Sequence, residues 1–262
     1  MNDQSLAPPL LTSAADGVAT LQLNRPRQYN ALSGALLDAL HAELDALAAD
    51  PAVRVVLITG AGNAFCSGHD LREMRGLASR MEVERLFARC SEMMKKLTAL
   101  PQPVIAVVNG LATAAGCQLV AQCDLAVASS HARFAASGVN LGLFCSTPAV
   151  AISRNLGRKR AAEMLFTGEF VDADTALDWG LVNRVAPHDQ AMEIAQELAR
   201  NLKAKPREVL ALGKALFYRQ LEQDMAAAYA DASRTIAANM DTDLAREGVD
   251  AFFDKRSPRW ED

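Results

Sequence analysis

Val104-Ile105-Ala106-Val107-Val108-Asn109-Gly110-Leu111-Ala112-Thr113-Ala114-Ala115-Gly116-Cys117-Gln118-Leu119 decides the fold class of this chain. It opens on an apolar, largely β-branched run of strand length. A stretch of small residues then leads into a short helix near Ala115, and a second strand follows at Leu125 to Ala128. Strands and helices in alternation predict an α/β core.

The same alternation continues towards the N-terminus. Val18-Ala19-Thr20-Leu21-Gln22-Leu23 has strand periodicity and stops at Asn24-Arg25-Pro26, where proline ends the ladder. Ser33 is placed as the N-cap of a helix whose Leu36, Leu37, Leu40, Leu44 and Leu47 recur at helical spacing up to Pro51. A buried strand is expected from Val53 to Thr59, and an amphipathic helix from about Ser79 to Leu100. Towards the C-terminus, from about Pro148, the pattern reads as almost wholly helical: Arg158 to Phe166, Asp172 to Trp179, Asp189 to Leu202, and three helices between Pro206 and Lys255. The expected organisation is a core over residues 1–205 with a helical C-terminal region, 206–262, of the same domain. No internal sequence repeat is evident.

Composition narrows the function classes. A chain of 262 residues with 50% hydrophobic and 22% charged content has enough apolar surface to bury a sizeable core. The formal net charge of −4, without clustered Lys and Arg, argues against nucleic acid as a partner. No apolar run reaches membrane-spanning length, so no membrane partner is expected. Met1 to Pro9 lacks the basic start of a signal peptide and the Arg-rich character of a transit peptide. With five scattered cysteines, Cys66, Cys90, Cys117, Cys123 and Cys145, the expectation is reduced thiols in a cytoplasmic protein.

Several short motifs are weak on their own. Gly60-Ala61-Gly62-Asn63-Ala64-Phe65 starts like a dinucleotide loop but lacks the third glycine and a helix directly after it, so no nicotinamide cofactor is expected. Ser67-Gly68-His69-Asp70 contains the letters of a hydrolase triad, yet triads are built by geometry and seldom from chain neighbours. Cys66 with His69, and Cys117 with Cys123, lack zinc spacing, so no metal is assigned.

Three segments together carry more. Ala64-Phe65-Cys66-Ser67-Gly68-His69-Asp70-Leu71, Asn109 to Leu119, and Arg133-Phe134 through Gly142-Leu143-Phe144 resemble the enoyl-CoA hydratase (crotonase) superfamily. The run Gly138-Val139-Asn140-Leu141-Gly142-Leu143-Phe144-Cys145-Ser146-Thr147-Pro148 is similar to one subgroup of that family, the enoyl-CoA hydratase domain-containing proteins. The resemblance spans about Asn24 to Trp260 and implies an α/β crotonase spiral of ββα units with a C-terminal helical trimerisation region. It also implies a homotrimer or a dimer of trimers.

For the site, the resemblance implies an acyl-CoA thioester as partner, with coenzyme A as part of the substrate and no separate cofactor. The N–H groups of His69 and Ala115 would receive the thioester oxygen. A preorganised donor of this kind is worth ~3 kcal/mol in a transition state. The two positions that carry proton-handling glutamates in the family match Gln118 and Gly138. An amide does not titrate near neutral pH, and loss of one general acid or base slows reaction by ~10²–10⁴. Ordinary hydration is therefore expected to be weak or absent. Arg25, Gln28, Tyr29 and Ala31, with Ala64, Gly68, Asp70 and Leu71, are implied to line the coenzyme A side, and Phe252 and Lys255 to approach it from the C-terminal helix. Two readings stay open: a family enzyme of uncertain reaction, or a non-catalytic acyl-CoA-binding or regulatory protein.

Overall fold

A computed structural model describes residues 7–260; Met1 to Leu6, part of the N-terminal segment considered above, lie outside the described residues. The chain begins with a hairpin, β1 (Leu10–Ala15) and β2 (Val18–Leu23), turned by Asp16 and Gly17 at φ 52° and 74°. Both central residues have positive φ, as the tight hairpin turn that matches strand twist requires. Strand β1 was not expected from the sequence. It is an edge strand with one buried residue out of six, so it lacks the apolar alternation that identified β2.

Helix α1 (Gly34–Ala49) follows, with the Ser33 hydroxyl accepting the Leu36 N–H and all five predicted leucines buried. Strand β3 (Val55–Gly60) is fully buried, and after it comes β4 (Ala64–Cys66), a strand where a dinucleotide site needs a helix. Short α2 (Leu71–Gly76) precedes α3 (Arg80–Ala99), whose start is a reciprocal cap between Ser79 and Glu82. Then come β5 (Val104–Val108), β6 (Leu111–Thr113), α4 (Ala115–Gln122), β7 (Leu125–Ser129) and β8 (Arg133–Ala135). The region from Pro148 is not wholly helical. Alongside α5 (Ser146–Asn155), α6 (Arg158–Thr167), α7 (Ala173–Trp179) and α8 (Ala191–Lys203) it contributes two short strands, β9 (Val171–Asp172) and β10 (Arg184–Ala186). At two and three residues they are too short to show a period of two.

The strands form two sheets, ordered β1-β2-β3-β5-β7-β10 and β4-β6-β8-β9. From β2 to β10 every pairing in the first sheet is parallel. Each passage through β3-β4, β5-β6 and β7-β8 adds one strand to each sheet and then a helix, which is a spiral of ββα turns. The repeat is one of backbone pairing, which explains why the sequence shows none. Alternate residues of the first sheet serve two cores: Val56, Ile58 and Ala106 face α1, α3 and α4, while Val55, Leu57, Ile105 and Val107 pack on Ala191, Ala195 and Ala199 of α8.

Helix α8 thus belongs to the core, and α9 (Arg207–Gln220), α10 (Met225–Met240) and α11 (Asp243–Phe253) extend beyond it. Lys214 and Tyr218 anchor α9. The Lys214 ammonium donates to Asp124 Oδ2 at 2.6 Å and to the Leu97 and Gln102 carbonyls, and the Tyr218 hydroxyl donates to Asp124 Oδ1 at 2.8 Å. Otherwise these helices bury little: α9 and α10 have no fully buried residue and α11 has Ala251. Among the described residues no helix is long and apolar enough to cross a membrane.

Candidate functional site

Two chain segments meet where the two sheets' spiral turns come together. The first follows β4. Gly68, at φ +92°, accepts the Leu32 N–H at 2.8 Å through its carbonyl, and the Asp70 N–H returns to the Leu32 carbonyl at 3.2 Å. In such a parallel bridge the flanking residues make the bonds, so the N–H of His69 itself faces away from Leu32. The second segment is the junction of β6 and α4. Ala114 there has φ 50° and ψ −119°, a conformation that an alanine adopts only at a cost of about 1–3 kcal/mol. The strained peptide turns the chain so that Ala115 starts α4, whose first N–H groups have no acceptor within the helix.

The two segments are in close contact. A Cβ at Gly68 would lie 3.1 Å from the Ala115 nitrogen, and one at Gly116 would overlap the Cys66 carbonyl oxygen. The Thr113 hydroxyl donates to the Ser67 carbonyl at 3.0 Å, closing the seam between them. Two main-chain donors, on His69 and Ala115, are therefore carried by neighbouring backbone held from both sides.

The positions matched to proton-handling residues look different. Gln118 sits one turn into α4, is 4% exposed, and has its side-chain Oε1 buried without a partner among the described residues. Gly138 belongs to a 3₁₀ turn at Ser137–Leu141. Its N–H donates to Cys145 Sγ at 3.3 Å and its carbonyl accepts from Leu143 N–H at 3.0 Å. A Cβ there would come 2.8 Å from that sulfur and overlap the Leu143 carbonyl oxygen. The space that a side chain would need is taken by the Cys145 thiol and the returning loop. The His69 ring is turned inward, edge-on to Phe87 of α3 with centroids 4.8 Å apart, and both ring nitrogens are buried without partners among the described residues. Burial pushes its pKa down from the usual 6.5 to about 4, so the imidazole is neutral at pH 7.

The remaining predicted residues divide into three groups. Arg25 holds Asp70 at 2.8 Å and the Ala31 carbonyl at 2.6 Å, so its charge is already matched within the chain. Asp70 also accepts the Arg72 and Glu73 N–H groups at the start of α2. Burial pushes its carboxyl up, but the hydrogen bonds and charge of Arg25 and the two backbone donors outweigh that and hold it below the usual range. Gln28, Tyr29 and Leu71 are exposed around this ion pair, whereas Ala64 and Gly68 are buried in the seam. Phe252 and Lys255 stand exposed at the end of α11, which packs chiefly on α10 and not on the donor segments.

Sequence reasoning missed Asn30 altogether. Fully buried, it donates to the Ala61 and Ala64 carbonyls at 2.9 and 2.7 Å and accepts the Arg25 N–H at 2.9 Å, so it fixes the Arg25 loop to the start of β4, the strand that leads to Gly68. Its positive φ of 55°, one residue after Tyr29 at 50°, comes from a turn for which Asn is well suited. Phe87 was absorbed into an amphipathic helix and gave no separate signal.

The chain is similar to proteins of one family. The family model described as enoyl-CoA hydratase/isomerase matches residues 13–262. This chain belongs to that family. A crystal structure of enoyl-CoA hydratase from Mycobacterium smegmatis superposes with a TM-score of 0.95 at 56% identity, covering 97% of this chain and 99% of that one. The human enoyl-CoA hydratase domain-containing protein 3 structure gives 0.93 at 44% identity, over 96% of this chain and all (100%) of that one. The rat protein named enoyl-CoA hydratase domain-containing protein 3, mitochondrial, is 47% identical over 254 residues, 96% of this chain and 85% of its own length. The crotonase fold and the domain-containing protein 3 subgroup are thereby shown for this enoyl-CoA hydratase/isomerase family member. The expected cytoplasmic setting is corrected: the rat, mouse and human relatives are all named mitochondrial. The five cysteines are buried and unpaired with one another, which does not identify the compartment around the protein.

Proposed function

We propose that this chain binds an acyl-CoA thioester and polarises its carbonyl through the N–H groups of His69 and Ala115, as an enoyl-CoA hydratase-like enzyme of acyl-CoA metabolism. The observation that carries the reading is the seam in which Gly68 backs onto the Ala115 nitrogen, with the strained Ala114 peptide aiming the α4 start. Donors fixed before substrate arrives need no reorganisation as charge develops on the oxygen.

Hydration of a plain enoyl thioester is slow in this proposal, because neither Gln118 nor Gly138 can take or give a proton. Isomerisation, thioester hydrolysis and decarboxylation all pass through or near the same polarised carbonyl and remain the candidate reactions. Coenzyme A enters as part of the substrate, with no further cofactor or metal. Residues 206–262 are the segment through which copies assemble into a trimer or a dimer of trimers. The exposed Phe217, Tyr229, Ile236, Phe252 and Phe253 support that assignment, since α9 to α11 leave much of their apolar surface uncovered in one chain.

A second reading, an acyl-CoA-binding protein without turnover, is favoured by one specific feature: the loop around Gly138 has closed over the acid/base position. The experiment pairs loss of conjugated-thioester absorbance, for short and medium enoyl-CoA, with calorimetric binding of saturated acyl-CoA. Binding with consumption of some member of an acyl-CoA panel supports the enzyme. Binding with none supports the second reading, and no binding of any acyl-CoA sinks both.

A further inference from the structure

We infer that Thr113 is a positioning residue for the main-chain donor pair: its hydroxyl holds the Ser67–Gly68 peptide and, through it, the direction in which the His69 N–H points. The inference rests on the acyl-CoA reading above and names a side chain on which the geometry of that site depends.

The backbone does not fix this peptide by itself. Strands β4 and β6 pair in parallel at Ala64 with Leu111 and at Cys66 with Ala112, with a register shift between, and no pair follows. The Ser67 carbonyl therefore lies just past the end of the ladder. Across from it, the backbone of β6 is committed to its other neighbour: Thr113 pairs with Ala135 of β8, and the Ala114 N–H goes to the Ala135 carbonyl at 2.9 Å. The Thr113 hydroxyl, 3.0 Å from the Ser67 oxygen, adds a side-chain rung where the main-chain ladder has none. Thr113 is 6% exposed, so little water reaches the bond, and the Ser67 carbonyl has no second partner among the described residues.

Two peptide planes lead from that rung to the donor. The Gly68–His69 peptide has its carbonyl on the Leu32 N–H at 2.8 Å, and in a planar trans peptide this sends the His69 N–H the opposite way. The Ser67–Gly68 peptide has its carbonyl on Thr113 and its N–H turned to Cys66 Sγ, a weak acceptor. Only Gly68 stands between the two planes, at φ +92°, and a glycine moves between backbone regions with no Cβ to oppose it. Without the Thr113 bond the Ser67–Gly68 plane is free to turn about Gly68, and the donor leaves its line. On its other side Thr113 precedes Ala114, whose strained angles aim the Ala115 N–H, so one threonine joins both donors.

The test is isotope-edited infrared spectroscopy of butyryl-CoA labelled at the thioester carbon, bound to the full chain as wild type, Thr113→Val, Thr113→Ser and Thr113→Ala. Hydrogen bonding to the oxygen lowers the C=O stretch, so the downshift on binding reads the donors and not the stability of the fold. Wild type is expected to show that downshift against free butyryl-CoA. Thr113→Val, the same shape without the hydroxyl, is expected to lose about half or more of it, together with up to about fivefold of the preference for butyryl-CoA over free coenzyme A, the worth of one net hydrogen bond. Thr113→Ser restores both. Thermal melts establish which variants fold, and Thr113→Ala, which removes the hydroxyl without placing a methyl in its room, reads the same loss if the valine variant does not. A full downshift in a folded valine or alanine variant overturns the inference even where the melting temperature falls, since the bond is then structural only, and leaves acyl-CoA binding intact. A serine variant that fails to restore the downshift overturns it as well, because the methyl and not the hydroxyl then sets the plane. Absence of the downshift in wild type, or of butyryl-CoA binding, removes the underlying reading and the positioning role with it.

Discussion

The donor half and the proton half of the site are built by opposite rules. On the donor side, Gly68, Ala114 to Gly116 and Thr113 are locked by contacts that are also the packing of one sheet turn against the next. On the side that the proposed function assigns to proton handling, Gln118 and His69 hold polar atoms without partners among the described residues, and Gly138 holds no side chain at all. The difference teaches that the geometry of the two main-chain donors is set by the packing of the fold, because the seam cannot change without moving β4 against α4. The Gln118 and His69 side chains hang off that seam and take no part in the contacts that close it.

The sharpest way to break the comparison is Gly116→Ala. Its methyl would occupy the Cys66 carbonyl oxygen, which is backbone and cannot step aside. The expected loss is about 4 kcal/mol or more, at the upper end for single substitutions. Urea unfolding monitored by circular dichroism measures it. A loss under ~1 kcal/mol would show that the seam has slack, and the donor side would no longer differ in kind.

Next in size is a pH effect from the proton side. With a folded pKa of about 4 against 6.5 unfolded, His69 binds its proton more readily in the unfolded chain. The stability tied to the neutral ring is therefore complete above pH 6.5, declines as pH falls towards 4, and is flat below that. A shift of this size amounts to about 3 kcal/mol across the window. His69→Phe should remove that slope and, by taking two unbonded nitrogens out of the interior, raise stability at pH 7 by about 1–2 kcal/mol. Parallel denaturation curves for both proteins between pH 4 and 7 would contradict the buried neutral ring.

Enzymology sharpens the contrast from the other direction. Gln118→Glu restores one carboxylate in an existing side-chain position and is expected to raise crotonyl-CoA hydration by about 10². Gly138→Glu is expected to gain nothing, since its Cβ would lie 2.8 Å from Cys145 Sγ. Initial rates on the same substrate compare them. If Gly138→Glu proves folded and the faster of the two, the closed loop is not what excludes a second carboxylate.

Much of the architecture could be read from local pattern, and the reasons for the gaps are specific. Leu36 to Leu47 and the Ser79 cap announce their helices, and Val104 to Val108 its strand, because burial on one face or throughout imposes a period. Strand β1 escapes because five of its six residues face solvent, although Asp16-Gly17 is a hairpin signal in the sequence. Strands β4, β6 and β8 are three residues long, and the double sheet they build depends on pairing between distant segments. At the site, Gln118 and Gly138 were singled out through the resemblance alone. That a sulfur seven residues on fills the space beside Gly138 was not visible, because it depends on how the 3₁₀ turn folds back.

The smallest effect tests whether donor geometry is maintained at the expense of stability. Ala114 at φ 50° and ψ −119° is held by its N–H to the Ala135 carbonyl at 2.9 Å and by its own carbonyl, which accepts Gln118 N–H at 3.0 Å. Glycine adopts those angles freely, so Ala114→Gly relieves about 1–3 kcal/mol of strain. Against that stand about 0.5–1 kcal/mol of added unfolded-state freedom and up to ~0.8 kcal/mol for a methyl packed at the edge of the core. The balance is a gain of about 0.5 kcal/mol, read as a slightly higher urea midpoint at unchanged slope. Because both hydrogen bonds stay in place, affinity for a saturated acyl-CoA should move less than twofold. A destabilised variant with weakened binding would mean that the alanine methyl itself sets the peptide angle, and the donor side would then owe its precision to a side chain after all.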